Sequence, residues 1–396
     1  MALGIQVADH CCFMTVTKTY DLAVIGGGLA GLALSIQMAG LGFAVLLLEK
    51  EQYPFHKVCG EYISNESWPF LQKLGVPLHQ MDVAQIHRLQ VSAPNGKLLQ
   101  APLALGGFGI SRYKLDALLA QIAIHHGVTL LQNCKVETVV EKEGVHYLQV
   151  RDNRVQKEFK ARVCCGSWGK KSNLDVQFLR PFLQQTPSGL NNFIAVKYHV
   201  QAQAPQDTIS LHNFENGYCG FSKIEGDRFC LCYLTRASNL RRHGNIAAME
   251  AAVLHRNPHL KQLFTHAQVC PDFPITISNI NFGNKEQVLP HLGALMGDAA
   301  GAITPLCGNG MSMALHSSKM IAALLPHFFS GCRSLDAVWA DYCRQWKHQF
   351  AWRLRVGRVL QQAFGKERTT NLLIAGLQHG PAVVRQLIRA THGQPF

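Results

Sequence analysis

Apolar and polar positions follow two different periods along this chain, and the changes of period mark out its elements. "YDLAVI" (20–25) is a continuous apolar run, "GGGLAG" (26–31) interrupts it, and "LALSIQMAGLG" (32–42) carries apolar residues at helical spacing before "AVLLLE" (44–49). That order predicts a strand at Asp21–Ile25, a glycine turn, a helix at Leu29–Leu41 and a strand at Ala44–Glu49. Together they make the first βαβ unit of a doubly wound sheet. From about Lys73 to Gly109, short alternating stretches such as "IHRLQVSA" predict sheet outside that unit. "SRYKLDALLAQIAIHHG" reads as a helix with Ser111 as N-cap and Gly127 at its end. "VTLLQNCKVETVV" and "KARVCCGS" return to strand, short strands dominate Asn191 to Phe282, and "HLGALMGDAAG" runs from a strand into a second glycine turn. From Gly310 the pattern is mostly helical. No internal repeat is visible.

Composition narrows the class. The chain has 396 residues and 47% hydrophobic content, enough for two packed units or one large discontinuous one. Thirteen cysteines without a C-x-x-C pair argue against a zinc site or a disulfide scaffold, so no metal is expected and the thiols are read as buried and reduced in a cytoplasmic protein. The first 19 residues lack the basic-then-apolar order of a signal peptide, and Met14 offers an alternative start that would make residues 1–13 extraneous. No uncharged apolar run approaches membrane-spanning length.

The net charge of +13 is unevenly spread: residues 340–396 hold nine Lys or Arg against two acids, Asp341 and Glu367. No nucleic-acid recognition motif accompanies that excess, so no nucleic-acid partner is expected. A solvated basic face explains it, as does an anionic membrane surface or an acidic substrate.

Within "GGGLAG", Gly26, Gly28 and Gly31 satisfy G-x-G-x-x-G. The first permits the turn, the second lets a pyrophosphate approach the backbone, and the third lets helix and strand pack closely. The N–H groups around Leu29 and Ala30 then face the phosphate. Glu49, with Lys50 after it, ends the next strand, where an acid accepts hydrogen bonds from both ribose hydroxyls. An adenine dinucleotide follows, either NAD or FAD.

The downstream stretch "GALMGDAAGAITPLCGNGMSMALHSSKM" resembles the second flavin-contacting segment of the aromatic hydroxylase and geranylgeranyl reductase superfamily of FAD enzymes. The resemblance implies that Asp298 binds a ribityl hydroxyl. It also implies that the turn of Pro305, Gly308, Asn309 and Gly310, with Met311 behind it, passes beside the isoalloxazine. The helix after Gly310 would aim a positive dipole end at an anionic reduced flavin. "GISRYKLDALLAQI" resembles the superfamily's Arg-x-x-x-Asp/Glu-x-x-Leu element, which implies a place for Arg112 by the pyrophosphate and ribityl chain; an ion pair with Asp116 at i+4 is the competing reading. The implied fold class is α/β. A Rossmann-like FAD domain (19–72, 110–172, 286–328) is interleaved with a mostly antiparallel substrate sheet (73–109, 173–285), with a basic helical region at 329–396 and a flexible extension at 1–18.

The pattern also breaks. Ser167-Trp168-Gly169 stands where the superfamily carries Ala-Asp-Gly, which weakens the case for direct reduction by NADPH or NADH; Lys170 and Lys171 read first as simple surface charge and second as an attraction for such a transient donor. "YPFHKVCGEYIS" resembles the Pro-x-x-Lys-x-Cys-Gly stretch of geranylgeranyl reductases and some halogenases. It implies a proton donor in Cys59, or a packing thiol, and flavin-tuning or substrate-holding roles for Lys57 and Glu61. "GYCGFSKIEG" keeps only Tyr218 of the reductases' Tyr-x-Trp-x-Phe-Pro signature, and no Trp-x-Trp-x-Ile-Pro element supports halogenation. No second G-x-G-x-x-G offers a separate nicotinamide site.

The expected activity is therefore FAD-dependent oxidation or reduction of an apolar small molecule. The leading reaction is hydroxylation of an aromatic or polyketide-type substrate, with oxygen adding at flavin C4a. The alternative is reduction of an isoprenoid or lipid carbon–carbon double bond. A halogenase or a flavin binder without turnover ranks below both.

Overall fold

The computed structural model describes residues 14–152, 155–183, 192–280, 282, 285–302, 308–364 and 366–396. The expectations for residues 1–13 and for Pro305 lie outside the described residues. One sheet has six strands in the order 129–131, 45–48, 14–25, 155–166, 145–152 and 134–142, the first four parallel and the rest antiparallel. Its central strand, Met14–Ile25, begins before the expected Asp21, and Met14 lies opposite Lys157. The alternation in "MTVTKTY" accounts for this earlier start and takes residues 14–18 out of the expected flexible extension.

Leu22, Ala23, Val24 and Val45–Leu48 are buried, which is why these strands read as unbroken apolar runs. The Leu29–Gly40 helix lies against the Arg112–His125 and Gly310–Phe329 helices and buries nine of its residues, so it is apolar almost all round. Ser111 caps the Arg112–His125 helix, its side chain accepting from the Lys114 N–H at 3.1 Å.

The second sheet runs 268–269, 193–201, 229–236, 217–223, 208–214, 84–92, 98–109 and 62–64, with 275–280 also paired to 193–201. Every pairing is antiparallel except that of 208–214 with 84–92. The alternating stretches before Gly109 and those after Asn191 thus build one sheet. Tyr62–Ser64, from the segment assigned to the nucleotide domain, forms its edge.

The C-terminal helices belong to both cores. The Leu335–Ala363 helix buries Trp339, Tyr342, Trp346 and Phe350 at i, i+3, i+4 spacings, and Tyr342 Oη donates to the Leu295 carbonyl at 2.6 Å. Ile374 and Val384 of the last two helices pack on Val91, Leu99 and Ala101 of the second sheet. No helix among the described residues is long and apolar enough to cross a membrane.

His212 sits buried in the second sheet, its Nδ1 2.9 Å from Ser92 Oγ, and burial pushes its imidazole down to about 3. The unfolded chain takes up that proton from about pH 6.5 downward while the folded chain resists until about pH 3. Stability should therefore fall as pH drops through that window. Urea titrations from pH 7 to 4 should show a shallower decline for His212→Gln than for the parent chain, and equal slopes would refute the assignment.

Candidate cofactor and active site

Ile25 lies opposite both Leu48 and Gly166, so the residues that follow these three strands gather at one end of the sheet. In open α/β sheets that carboxyl-end crevice is where ligands bind. Gly26 has φ +103°, and a Cβ there would lie 2.5 Å from the Ser167 carbonyl oxygen. At Gly31 a Cβ would overlap the Gly26 carbonyl oxygen. Gly28 differs, since the nearest atom to a Cβ there is 3.9 Å away. It opens onto free space at the N-terminus of the Leu29–Gly40 helix, which has no side-chain cap and no acid in its first turn. The first N–H groups of that helix, at Leu29 and Ala30, are left for an incoming acceptor.

Glu49 Oε2 accepts from the Gly27 N–H at 2.8 Å and Oε1 from the Glu51 N–H at 3.1 Å. Two backbone donors thus fix a buried carboxylate beside the turn, with lone pairs remaining for hydroxyl donors. Lys50 points outward to Glu51 instead. Tyr53 Oη donates to the Gly27 carbonyl and seals the turn's other side.

The second glycine segment reaches the same end. Gly293–Met296 runs beside the 155–166 strand, the Met296 N–H donating to the Gly166 carbonyl at 2.8 Å, and Asp298 follows. Lys170 Nζ lies 2.8 Å from Asp298 Oδ2, while Lys285 Nζ donates to the backbone carbonyls of Asp298 and Lys170 at 2.9 and 3.0 Å. Burial opposes ionisation of Asp298, but Lys170 and Lys285 outweigh it and hold the carboxyl below its ordinary range. Lys170 is therefore an ion-pair partner of the second segment and not plain surface charge. Trp168, where the superfamily has aspartate, donates its indole N–H to Asp175 at 3.1 Å.

Gly308 packs against the Tyr62 ring, and Gly310 opens an uncapped helix. Asn309 is buried and donates from Nδ2 to the Thr391 carbonyl at 2.8 Å, tying this turn to the C-terminal tail. Met311 Sδ lies 3.6 Å from Cys59 Sγ. The "HKVCGE" stretch and the second flavin-like segment therefore meet across 252 positions of sequence.

Arg112 grips Asp116 with two hydrogen bonds of 2.6 and 2.7 Å, and Lys57 Nζ reaches the same carboxylate at 2.9 Å. Burial opposes the Asp116 charge, yet the two cations hold its carboxyl below the usual range. Lys57 Nζ also lies 3.4 Å from the Gly27 carbonyl, which brings this cation pair up to the first turn. The i+4 pair thus forms without removing Arg112 from the crevice.

Glu61 occupies a different place from Cys59. Its carboxylate is closed to solvent: Oε1 accepts from Lys197 Nζ at 2.5 Å and the Arg112 N–H at 2.8 Å, and Oε2 lies 2.6 Å from His199 Nε2. Glu61 ties the 193–201 strand of the second sheet to the start of the Arg112–His125 helix, so the role its position supports is positioning. Lys197 and His199 were not singled out in the sequence. Their signal was a lysine and a histidine two positions apart on one face of the apolar strand "FIAVKYHVQA". Tyr218 is buried in an apolar cluster with Phe193, Phe282 and Ala302, against which Val58 packs.

Residues 21–203 match the family model described as lycopene cyclase protein. Conditioned medium factor receptor 1 of Dictyostelium discoideum is 25% identical over 339 residues, covering 78% of this chain but only 64% of that relative's length. The flavin-dependent brominase Bmp2 superposes with a TM-score of 0.77 at 17% identity, over 94% of this chain and 93% of its own. A geranylgeranyl bacteriochlorophyll reductase-like protein from Thermoplasma acidophilum gives 0.76 at 18% identity, over 96% of both chains. The two glycine turns meet at one sheet end, and the chain shares its fold with the brominase and the reductase-like protein.

Proposed function

We propose that this protein is an FAD-dependent oxidoreductase acting on an apolar small molecule, and that the reaction is reduction of a carbon–carbon double bond. The observation that carries the FAD reading is the convergence of the Gly26–Gly31 turn, Glu49, Asp298 and the Gly308–Met311 turn at one end of the sheet. Gly28 and the first N–H groups of its helix would hold the diphosphate. Glu49 would hold the adenosine ribose, Asp298 the ribityl chain, and the Gly310 helix end the pyrimidine edge.

Bound FAD supplies the hydride chemistry. The side chains supply the rest. Lys57 and Arg112 compensate negative charge, Tyr218 and its apolar neighbours exclude water, and Cys59 Sγ holds a proton beside the second turn. Hydroxylation is the more widespread chemistry of the superfamily, but the half-buried Cys59 thiol against Met311 favours the reductive reaction. NADPH or NADH is the proposed transient donor, attracted by the exposed Lys171, since Lys170 is engaged by Asp298.

The test is turnover of a prenylated substrate with NADPH as reductant, run under strict anaerobiosis and, separately, in air with oxygen uptake followed. A reductase forms product without oxygen, whereas product tied one-to-one to oxygen uptake would establish hydroxylation. Cys59→Ser should bind as much FAD as the parent chain and lower kcat by about 10²-fold, the lower end of general-acid contributions. Unchanged kcat would remove Cys59 from the chemistry.

A further inference from the structure

We propose that the cleft between the Leu335–Ala363 helix and Phe282, Lys285, Gln287, Gly301 and Ala302 binds the anionic head of an amphiphilic substrate, whose apolar body lies against Phe282 and Ala302. The fate of that apolar body rests on the oxidoreductase reading above, while the binding itself does not.

The cleft encloses ≈ 320 Å³, at the small end of the roughly 300–1,000 Å³ typical of ligand pockets. Four cations line it, Lys285, Lys347, Arg355 and Arg358, and no carboxylate does among the described residues. On the same helix Arg344 pairs with Asp341 and Arg353 with Glu66. Lys347, Arg355 and Arg358, on the face turned to the cleft, pair with no carboxylate among the described residues. Like charges gathered on one helix face repel, and an anion held among them relieves that repulsion. Lys285, pushed down to about 8 by burial, links the cleft to the cofactor crevice through its hydrogen bond to the Asp298 carbonyl.

The other wall is apolar. Phe282 and Ala302 line the cleft and also belong to the cluster that holds Tyr218, and Val58, next to Cys59, packs on that cluster. A hydrocarbon attached to a head group held by the cations would lie against the wall formed by Phe282 and Ala302. A phosphate or carboxylate on a hydrocarbon satisfies both walls, whereas a neutral or cationic ligand satisfies one at most. The basic C-terminal region, on this assignment, serves an acidic substrate.

The experiment is calorimetric titration of the full chain with dodecyl phosphate at monomeric concentrations, against dodecanol and inorganic phosphate. Dodecyl phosphate should bind more tightly than either fragment. The Lys347→Gln/Arg355→Gln/Arg358→Gln variant should lose about tenfold or more in affinity, since charge-assisted contacts vanish. Ala351→Trp keeps the charges but fills the cleft, and should lose as much. Equal binding by the parent chain and both variants would overturn the proposal. So would vesicle binding that depends on the three charges without any uptake of dodecyl phosphate, because the helix would then be a membrane surface. Given the expected variant pattern, competition by phosphatidic acid vesicles assigns the ligand to a bilayer lipid, and lack of competition assigns it to a free amphiphile. Flavin content is read separately. A chain that binds dodecyl phosphate but never FAD refutes the oxidoreductase reading alone, and an FAD-replete chain that ignores dodecyl phosphate refutes the cleft alone.

Discussion

Gly28→Ala should leave the apoprotein as stable as the parent chain and yet cost it at least about 10²-fold in FAD affinity, the scale of a lost set of charge-assisted hydrogen bonds. At Gly28 the backbone has φ −78°, which any residue adopts, and a Cβ meets nothing closer than 3.9 Å. The added methyl therefore strains nothing in the free protein. It does occupy the space through which a diphosphate must approach the N–H groups at the start of the Leu29–Gly40 helix. Gly31→Ala is the contrasting control. Its Cβ would overlap the Gly26 carbonyl oxygen, so turn and helix must separate and the apoprotein itself loses about 1–3 kcal/mol, as overpacked cores do. Melting curves of the apoproteins and flavin titrations distinguish the two cases. Parent-like FAD affinity in Gly28→Ala would mean that no phosphate lies on this turn.

Glu61→Gln should destabilise the fold by about 3–5 kcal/mol, because it leaves Lys197 buried opposite a neutral amide. Both Glu61 and Lys197 side chains are fully closed to solvent, and His199 is nearly so. Glu61 also holds a left-handed backbone, φ 55°, unusual for a residue with a Cβ, and its carboxylate contacts over-determine that conformation. Burial raises the Glu61 carboxyl, but Lys197 and His199 more than reverse this and hold it below the ordinary value of 4.5. A depressed carboxyl contributes stability that is complete above its unfolded value and is lost as pH falls through the folded one. The parent chain should thus lose this contribution below about pH 4.5, and Glu61→Gln should lack that part of the acid limb. Urea unfolding at pH 7 and pH 4 measures both effects. A variant of parent-like stability and reduced kcat would return Glu61 to the catalytic residues, against its position here.

Much of this was legible in the linear sequence because it depends on local periodicity. The Asp21–Ile25 run, the turn glycines and the Ser111-capped helix are short-range patterns; the two helices form close to their expected bounds, while the strand reaches back to Met14. The second sheet was legible only as scattered strands. Its closure requires 208–214 to lie parallel to 84–92, a pairing between segments some 120 residues apart that no local pattern encodes. The site divides in the same way. Gly26, Gly28, Gly31 and Asp298 announce themselves through spacing, whereas the Lys170–Asp298 pair and the Lys197–Glu61–His199 group arise when distant segments meet.

The sequence by itself determined the elements of the dinucleotide crevice, since strand, turn and helix follow from hydrophobic period and glycine placement within some 30 residues. Only the tertiary structure decided which of the candidate polar groups face that crevice and which are closed inside the protein. It placed Cys59 beside Met311, turned Glu61 into a buried joint, and drew to one cleft three cations of the C-terminal helix that pair with no carboxylate among the described residues. The physical reason is that burial and ion pairing depend on which surfaces are pressed together in space, and the residues concerned lie up to 252 positions apart.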